Sequence, residues 1–210
     1  MSILRAAWVP DDDPERDWEV GAELAVRWVE REAAEQSATA VLVLNAFGAE
    51  QSIPTLRRFA ERHLVATPRS GRQRVGSGVG PVLACVPDAK TLEFATGLAR
   101  GSSLAAVEGA NLFPLHGWAT QVQAIDLTHP EDEVEEVDER LTSALESLKF
   151  YGNNGYGPPF DRQQAARVLG DLRSAGLLDH DVVIGAMAAR GISPSGLKLL
   201  GQLIKAADGR

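Results

Sequence analysis

Four short apolar runs alternate with amphipathic helical patterns in the first 127 residues, and this alternation restricts the fold more than any other feature. The runs cover residues 3–9, 40–44, 82–86 and 103–107, and each has the length of a strand. Between and after them, apolar side chains recur at three- and four-residue spacing, which is typical of helices. A repeated strand–helix order predicts a parallel sheet with right-handed crossovers.

The strand pattern ends near residue 128, and four helical patterns follow. The sequence therefore predicts a three-layer, Rossmann-like α/β domain with a small parallel sheet over residues 1–127, followed by a helical C-terminal module over residues 128–210. Residues 64–66 leave open an additional strand at the edge of the sheet.

Helix starts and buried faces are predicted from residue type. Ser52, Asp88 and Asp161 are expected to cap the helices that follow them, because their side chains accept hydrogen bonds from free backbone N–H groups. Trp18 is expected to begin the buried stripe of the first helix.

Composition narrows the class of protein. A single cysteine, Cys85, excludes a disulfide framework and favours a cytoplasmic protein. No apolar run reaches the roughly 18 residues that a membrane helix needs, so no membrane partner is expected. The net charge of -8 argues against a protein that coats nucleic acid.

Polar residues follow each predicted strand at the carboxyl edge of the sheet, where ligands bind in open parallel sheets. They are Asp11, Asp12, Asp13, Asn45, Asp88, Glu108 and Asn111. If the acids converge, Asp12, Asp88 and Glu108 are candidate ligands of Mg²⁺, which prefers oxygen. In the alternative interpretation, the same acids end strands and cap helices.

An arginine- and glycine-rich segment at residues 67–80 contains Arg69, Arg72 and Arg74. Glycine lets backbone N–H groups approach an anion, and arginine binds phosphate with two hydrogen bonds. The segment matches neither the Walker loop nor the dinucleotide-binding fingerprint, and a flexible surface loop is the favoured interpretation. If it binds a ligand, we expect an anionic, phosphate-bearing molecule or a nucleic-acid backbone.

An aromatic loop spans residues 151–160 and contains Tyr151, Asn153, Asn154, Tyr156 and Phe160. Exposed aromatic rings on such a loop stack on a base or ring of a ligand. The alternative, which we favour, is that the rings pin the loop against a neighbouring domain.

Residues 183–204 have the outline of a helix-turn-helix, with Ser195, Lys198, Gln202 and Lys205 on the outer face of the second helix. Two lysines make a thin basic face, so nucleic-acid binding stays an open but weaker hypothesis.

Three possible functions remain. The first is a ligand-binding or interaction protein that takes an anionic small molecule at the carboxyl edge of the sheet, or a protein partner. The alternatives are a Mg²⁺-dependent enzyme acting on a phosphate-bearing small molecule and a nucleic-acid-binding protein that uses its helical tail. We favour the binding role, because no neighbouring residues form a recognisable nucleophile–base pair. The oligomeric state is left open.

Overall fold

The computed structural model describes residues 3–69, 75, 79–110, 112–132 and 137–209. The chain divides into two compact units. The sheet unit comprises Met1–Phe113 and Gln123–Glu133, and the helical unit comprises Pro114–Val122 and Val134–Arg210. The division thus assigns residues 114–122 to the helical unit, whereas the sequence grouped them with the α/β domain.

The sheet unit contains a six-stranded parallel sheet with the strand order β3-β2-β4-β5-β1-β6. The strands are β1 (Arg5–Val9), β2 (Val41–Val43), β3 (Leu64–Ala66), β4 (Val82–Cys85), β5 (Ser103–Val107) and β6 (Ile125–Asp126). The predicted α/β fold is confirmed, and the additional edge strand is β3. β6 was missed, because a two-residue, half-buried strand leaves no apolar run.

Three helices of the sheet unit are α1 (Trp18–Glu35), α2 (Pro54–Arg62) and α3 (Ala89–Leu98). One core cluster joins α1 and α2 to a set of alternate strand residues that includes Leu42, Leu83 and Ala105. The other set of strand residues, such as Val82 and Leu104, is also fully buried. Burial on both faces is why these strands read as continuous apolar runs.

Of the three predicted helix caps, Asp88 is confirmed, whereas Ser52 and Asp161 do not cap the helices that follow them. The Asp88 carboxylate accepts a hydrogen bond from the Thr91 backbone N–H at 2.7 Å, so its predicted cap is confirmed. Ser52 instead lies in a short 3₁₀ turn (Ala49–Ser52), where its hydroxyl donates to the Ala49 carbonyl. A 3₁₀ turn continues up to Ser52 and α2 starts only at Pro54, so the Ser52 hydroxyl does not reach the α2 N–H groups.

A buried polar network ties the end of α1 to the amino ends of β1 and β5. The carboxylate of Glu32, 1% exposed, accepts from the Ser103 hydroxyl at 2.7 Å and lies 2.7 Å from the Arg5 guanidinium. Gln36 bridges the hydroxyls of Ser102 and Ser103 at 2.6 and 2.8 Å. Burying Glu32 is tolerated because its oxygens are paired in this way.

The helical unit contains five helices among its described residues. They are α4 (His116–Val122), α5 (Glu139–Gly152), α6 (Pro159–Ser174), α7 (His180–Ala189) and α8 (Pro194–Asp208). The expected cap by Asp161 is wrong: Pro158 occupies the cap position, and Asp161 lies in the first turn of α6. Pro159 is suited to a first helical position because it has no N–H to leave unpaired.

Reciprocal glycines allow α4 and α7 to cross closely. A Cβ atom on Gly117 would lie 2.0 Å from the Val182 backbone oxygen, and one on Gly185 would lie 2.7 Å from the Trp118 nitrogen. Both near atoms belong to backbone, which cannot rotate away. The α4–α7 contact therefore requires glycine at both positions.

No helix among the described residues is long and apolar enough to cross a membrane.

Candidate functional site

The strand order of the sheet creates two places where neighbouring strands send the chain in opposite directions. After β1 the chain crosses to β2, whereas after the adjacent β5 it runs the other way, to β6. The pair β2 and β4 diverges in the same manner, because β2 continues to β3 and β4 to β5. In open parallel sheets such switch points leave a crevice at the carboxyl edge, which is where ligands bind.

Asn45 bridges the switch point between β2 and β4. Its side-chain amide donates to the Val86 carbonyl at 2.8 Å, and its side-chain oxygen accepts from the Asp88 backbone N–H at 3.0 Å. Val86 has a φ of 49°, an unusual conformation for a β-branched residue. A Cβ atom on Gly109 would lie 2.4 Å from Val86 Cγ1, so glycine is required beside this turn. Asn45 and Asp88 thus meet, and their bonds hold a strained loop.

A cleft of about 270 Å³ lies at the other switch point, between the carboxyl ends of β1 and β5. Its lining includes Asp11 and Asp13 after β1, Trp18 at the start of α1, and Glu108 after β5. The lining thus includes three of the acids that the edge rule placed at the carboxyl edge, Asp11, Asp13 and Glu108. Trp18 was expected to be buried, but 43% of it is exposed, because the first residue of a helix extends past the core that the later turns cover.

Hydrogen bonds hold the two loops of the cleft together. The Asp11 backbone N–H donates to the Glu108 carboxylate at 3.3 Å, and the Glu108 backbone N–H donates to the Val9 carbonyl at 2.9 Å. The Asp13 carboxylate accepts from the Glu15 backbone N–H at 2.9 Å, which shapes the turn before α1. The positions of these acids are therefore fixed by the backbone of both loops.

Arg16 is the cation of the cleft, and it is already engaged. One of its guanidinium nitrogens lies 2.7 Å from an Asp12 carboxylate oxygen and 2.7 Å from the Pro10 carbonyl. Asp12 therefore neutralises Arg16. The carboxylates of Asp11 and Glu108 then give the lining an acidic character.

The expected magnesium ligands are not brought together. Asp12 pairs with Arg16, Asp88 caps α3, and Glu108 joins the β1 loop. In the part of the chain that the structure describes, no group of three or more His, Cys, Asp or Glu side chains could hold a metal ion.

The expected arginine site is separated from this cleft. Arg69 is exposed and follows β3, and three strands lie between β3 and β1. Four strand spacings of about 4.8 Å separate the two strands by roughly 19 Å. Arg72, Arg74 and Asn111 lie outside the described residues.

Cys85 is not an available nucleophile. It ends β4 in the core, and burial raises the pKa of its thiol to about 12. Because thiolates, not thiols, are the reactive species, a thiol with this pKa is inert at neutral pH.

Tyr156 pins the aromatic loop within the helical unit. Its ring is fully buried, and its hydroxyl donates to the Leu148 carbonyl of α5 at 3.0 Å. A Cβ atom on Gly152 would lie 2.6 Å from this ring, so glycine makes room for it. Tyr156 therefore follows the alternative interpretation, in which the loop is held against the protein's own surface.

The other aromatic residues here are Tyr151 and Phe160 of the loop and Phe150, which directly precedes it, and they are more exposed than Tyr156. Phe150 and Phe160 are 71% and 63% exposed, and each packs edge-on near Tyr151, with ring centroids 5.3 and 6.4 Å from it. Asn153 and Asn154 are exposed beside them. Phe150, Tyr151 and Phe160 form a small apolar patch at the turn between α5 and α6.

The outer face of α8 is exposed as expected, with Ser195, Lys198, Gln202 and Lys205 in solvent. Two lysines spaced two turns apart contribute little positive potential, and Asp208 follows them on the same helix. This surface does not strengthen the nucleic-acid hypothesis.

Comparison with protein-family models, with curated proteins and with solved structures found no match to this chain.

Proposed function

We propose that this protein binds a polar small molecule in the cleft between the carboxyl ends of β1 and β5. The observation that carries the proposal is the coincidence of a cleft of about 270 Å³ with a switch point of the sheet. The two loops that form it are tied by the hydrogen bond from the Asp11 N–H to the Glu108 carboxylate, so contacts within the protein shape the cleft. Preformed sites of this kind bind without the cost of ordering a loop.

The lining indicates the ligand chemistry. Ionised carboxylates accept hydrogen bonds and attract cations, so the exposed Asp11 suits a ligand that presents an amine or neighbouring hydroxyl groups. The half-exposed indole of Trp18 offers a face for a ring or a cation. Because Arg16 is already paired with Asp12, the charges favour such a ligand over the anionic one that the sequence suggested.

Binding is favoured over catalysis. The cleft is lined by carboxylates, one paired guanidinium, one indole and apolar groups. The cysteine of the neighbouring strand β4 is buried with a raised pKa. Among the described residues, the lining therefore supplies recognition groups and no activated nucleophile.

The test begins with a native mass spectrum of the purified protein, to detect a ligand that it retains. Thermal-shift titrations with spermidine, ribose and ribose 5-phosphate then compare a cation, a neutral polyol and an anion. A ligand at ten times its dissociation constant adds about 1.4 kcal/mol, which raises the melting temperature by roughly 3–5 °C. We expect a rise with spermidine or ribose.

Variants locate the site. Ala110 is exposed and lines the cleft, so Ala110→Trp should block binding without disturbing the core. Asp11→Asn should weaken it, whereas the matched control Asp171→Asn, at an exposed position of α6, should not. A response to ribose 5-phosphate alone, or one that Ala110→Trp leaves unchanged, would contradict the proposal.

A further inference from the structure

A second cavity lies inside the helical unit, between α4, α5 and α7. Its volume is about 300 Å³. This is twice the size of an engineered protein cavity of about 150 Å³ that takes up benzene. It is therefore large enough for a single aromatic ring with a short substituent.

One wall of the cavity is apolar. Leu141 and Leu145 are one turn apart on α5, and Val182 and Ala186 are one turn apart on α7. Residues spaced by four on a helix lie above one another on the same face. The two pairs therefore form adjacent apolar strips, which suit a flat ring.

The wall of the cavity formed by α4 is polar. The hydrogen bonds that its side chains already make determine which donors and acceptors remain for a ligand. Arg190 Nε donates to Gln121 Oε1 at 3.0 Å, which leaves the amide nitrogen of Gln121 as a donor. The Thr120 hydroxyl donates its proton to the His116 carbonyl at 3.0 Å, so its oxygen retains the capacity to accept. Thr120 and Gln121 both line the cavity, which thus presents an acceptor and a donor on neighbouring residues.

The charged group at the rim is already neutralised. Both carboxylate oxygens of Asp138 receive hydrogen bonds from the Arg140 guanidinium, at 3.2 and 2.7 Å. This guanidinium lowers the pKa of Asp138 to about 2. Asp138 therefore stays paired at neutral pH, and a ligand with a net charge gains no free counter-ion from it.

We propose that this cavity binds a small, neutral, flat aromatic molecule that carries a hydrogen-bond donor and acceptor on one edge, as an aryl carboxamide or a lactam-type heterocycle does. The ring lies on the strips of α5 and α7, the ligand's acceptor receives the Gln121 amide, and its donor meets the Thr120 hydroxyl. This site is separate from the cleft beside β1 and does not depend on the function proposed for that cleft.

The experiment titrates the full-length chain with benzamide, toluene and benzoate, using ligand-observed NMR and calorimetry. Benzamide has about nine non-hydrogen atoms, and the cavity should bind it with a dissociation constant of about 1 mM or tighter. Toluene and benzoate should bind at least about fivefold more weakly, because each lacks the donor that meets Thr120 and a net hydrogen bond is worth about 1 kcal/mol. Absence of benzamide binding up to about ten times that concentration, or equal binding of toluene, would overturn the proposal.

Two variants assign the binding to this cavity. Ala186→Leu adds volume at a lining residue and should abolish benzamide binding. Gln121→Leu removes the donor and should weaken benzamide at least about fivefold while leaving toluene unchanged. The matched control, Gln202→Leu on the exposed face of α8, should bind like the parent. If overpacking in Ala186→Leu prevents folding, Gln121→Leu decides: unchanged benzamide binding in a folded Gln121→Leu protein would refute the assignment.

Discussion

The carboxylate of Glu19 in α1 caps the start of α2 through Thr55, which lies 36 residues further along the chain. One oxygen of Glu19 accepts from the Thr55 backbone N–H at 3.0 Å and from its hydroxyl at 2.6 Å. Arg58, one turn later, lies 3.4 Å from the same oxygen. Helix α2 has no cap from its own flanking side chains, so Glu19 supplies the negative group that favours a helix N-terminus.

Replacement of Glu19 by alanine should therefore destabilise the sheet unit. Loss of a helix cap costs about 1–2 kcal/mol, and Glu19 is partly buried, with 30% of its side chain exposed. Urea unfolding of Glu19→Ala should show this loss. Glu23→Ala, at an exposed position of the same helix, should unfold like the parent. Equal losses in the two variants would mean that the cap at Thr55 is not responsible, because of the two residues only Glu19 contacts Thr55 and alanine is the better helix former at both positions.

Two glycine substitutions, one at the α4–α7 crossing and one in α6, should change the stability of the protein in opposite directions. Gly117→Ala places a methyl group against the Val182 backbone and should cost at least about 3 kcal/mol, the upper range for overpacking. Gly170, inside α6, has nothing within 4 Å of its Cβ position. Gly170→Ala should therefore stabilise the protein by about 0.5–1 kcal/mol, as alanine does in helices. Thermal unfolding of both variants measures the two signs.

The sheet was predictable because a strand buried on both faces must be apolar throughout. Residues 40–44 and 82–86 contained the strands β2 and β4, because an apolar run of this length is typical of a buried strand. The boundaries were less certain: β1 begins at Arg5, two residues later than its apolar run. The first residue of β1 is set by its pairing with β5, which begins at Ser103 opposite Arg5. The apolar pattern of one segment contains no information about where its partner strand begins.

The candidate sites were predictable only in part. Asp11 and Glu108 were found because the edge rule depends on chain order alone. The role of Trp18 was missed, since periodicity identifies the buried face of a helix but not the end of the core. The cavity in the helical unit could not be foreseen, because it is the space that remains after three separate helices have packed.

Burial of the Cys85 thiol should make the protein less stable at alkaline pH. Its thiol has a pKa of about 12 in the fold, against 9.0 when unperturbed, because burial disfavours the thiolate. Above pH 9 the unfolded chain loses this proton and the folded one keeps it, so the free energy of unfolding falls as the pH rises from 9 to about 12. The slope of this component is about 1.4 kcal/mol per pH unit.

The measurement is urea unfolding between pH 7 and 11 on the parent and on Cys85→Ala. The variant should start from a lower stability, because it loses a buried side-chain atom, but its decline above pH 9 should be shallower. The control is the pH range below 8, in which the two curves should run parallel. Identical slopes above pH 9 would mean that Cys85 does not govern this decline.

Asn45 gives a test in which the sign of the pH dependence identifies the hydrogen bond. In Asn45→Asp the bond accepted from the Asp88 N–H is retained, but an ionised carboxylate cannot donate to the Val86 carbonyl. At pH 7 the variant should lose about 1 kcal/mol, the low end of the cost for an unmade bond, because the site is partly exposed. The protonated carboxyl can donate, so folding raises the pKa of the introduced group.

A raised pKa in the folded state means that stability is present at low pH and is lost as the pH rises through that pKa. Relative to the parent, Asn45→Asp should therefore recover its stability when the pH is lowered from 7 to about 4. Asn45→Ala, which can neither donate nor accept, should lose stability at both pH values without recovery. A deficit in Asn45→Asp that stays constant over this range would show that the Asn45 amide does not hold the strained turn at Val86.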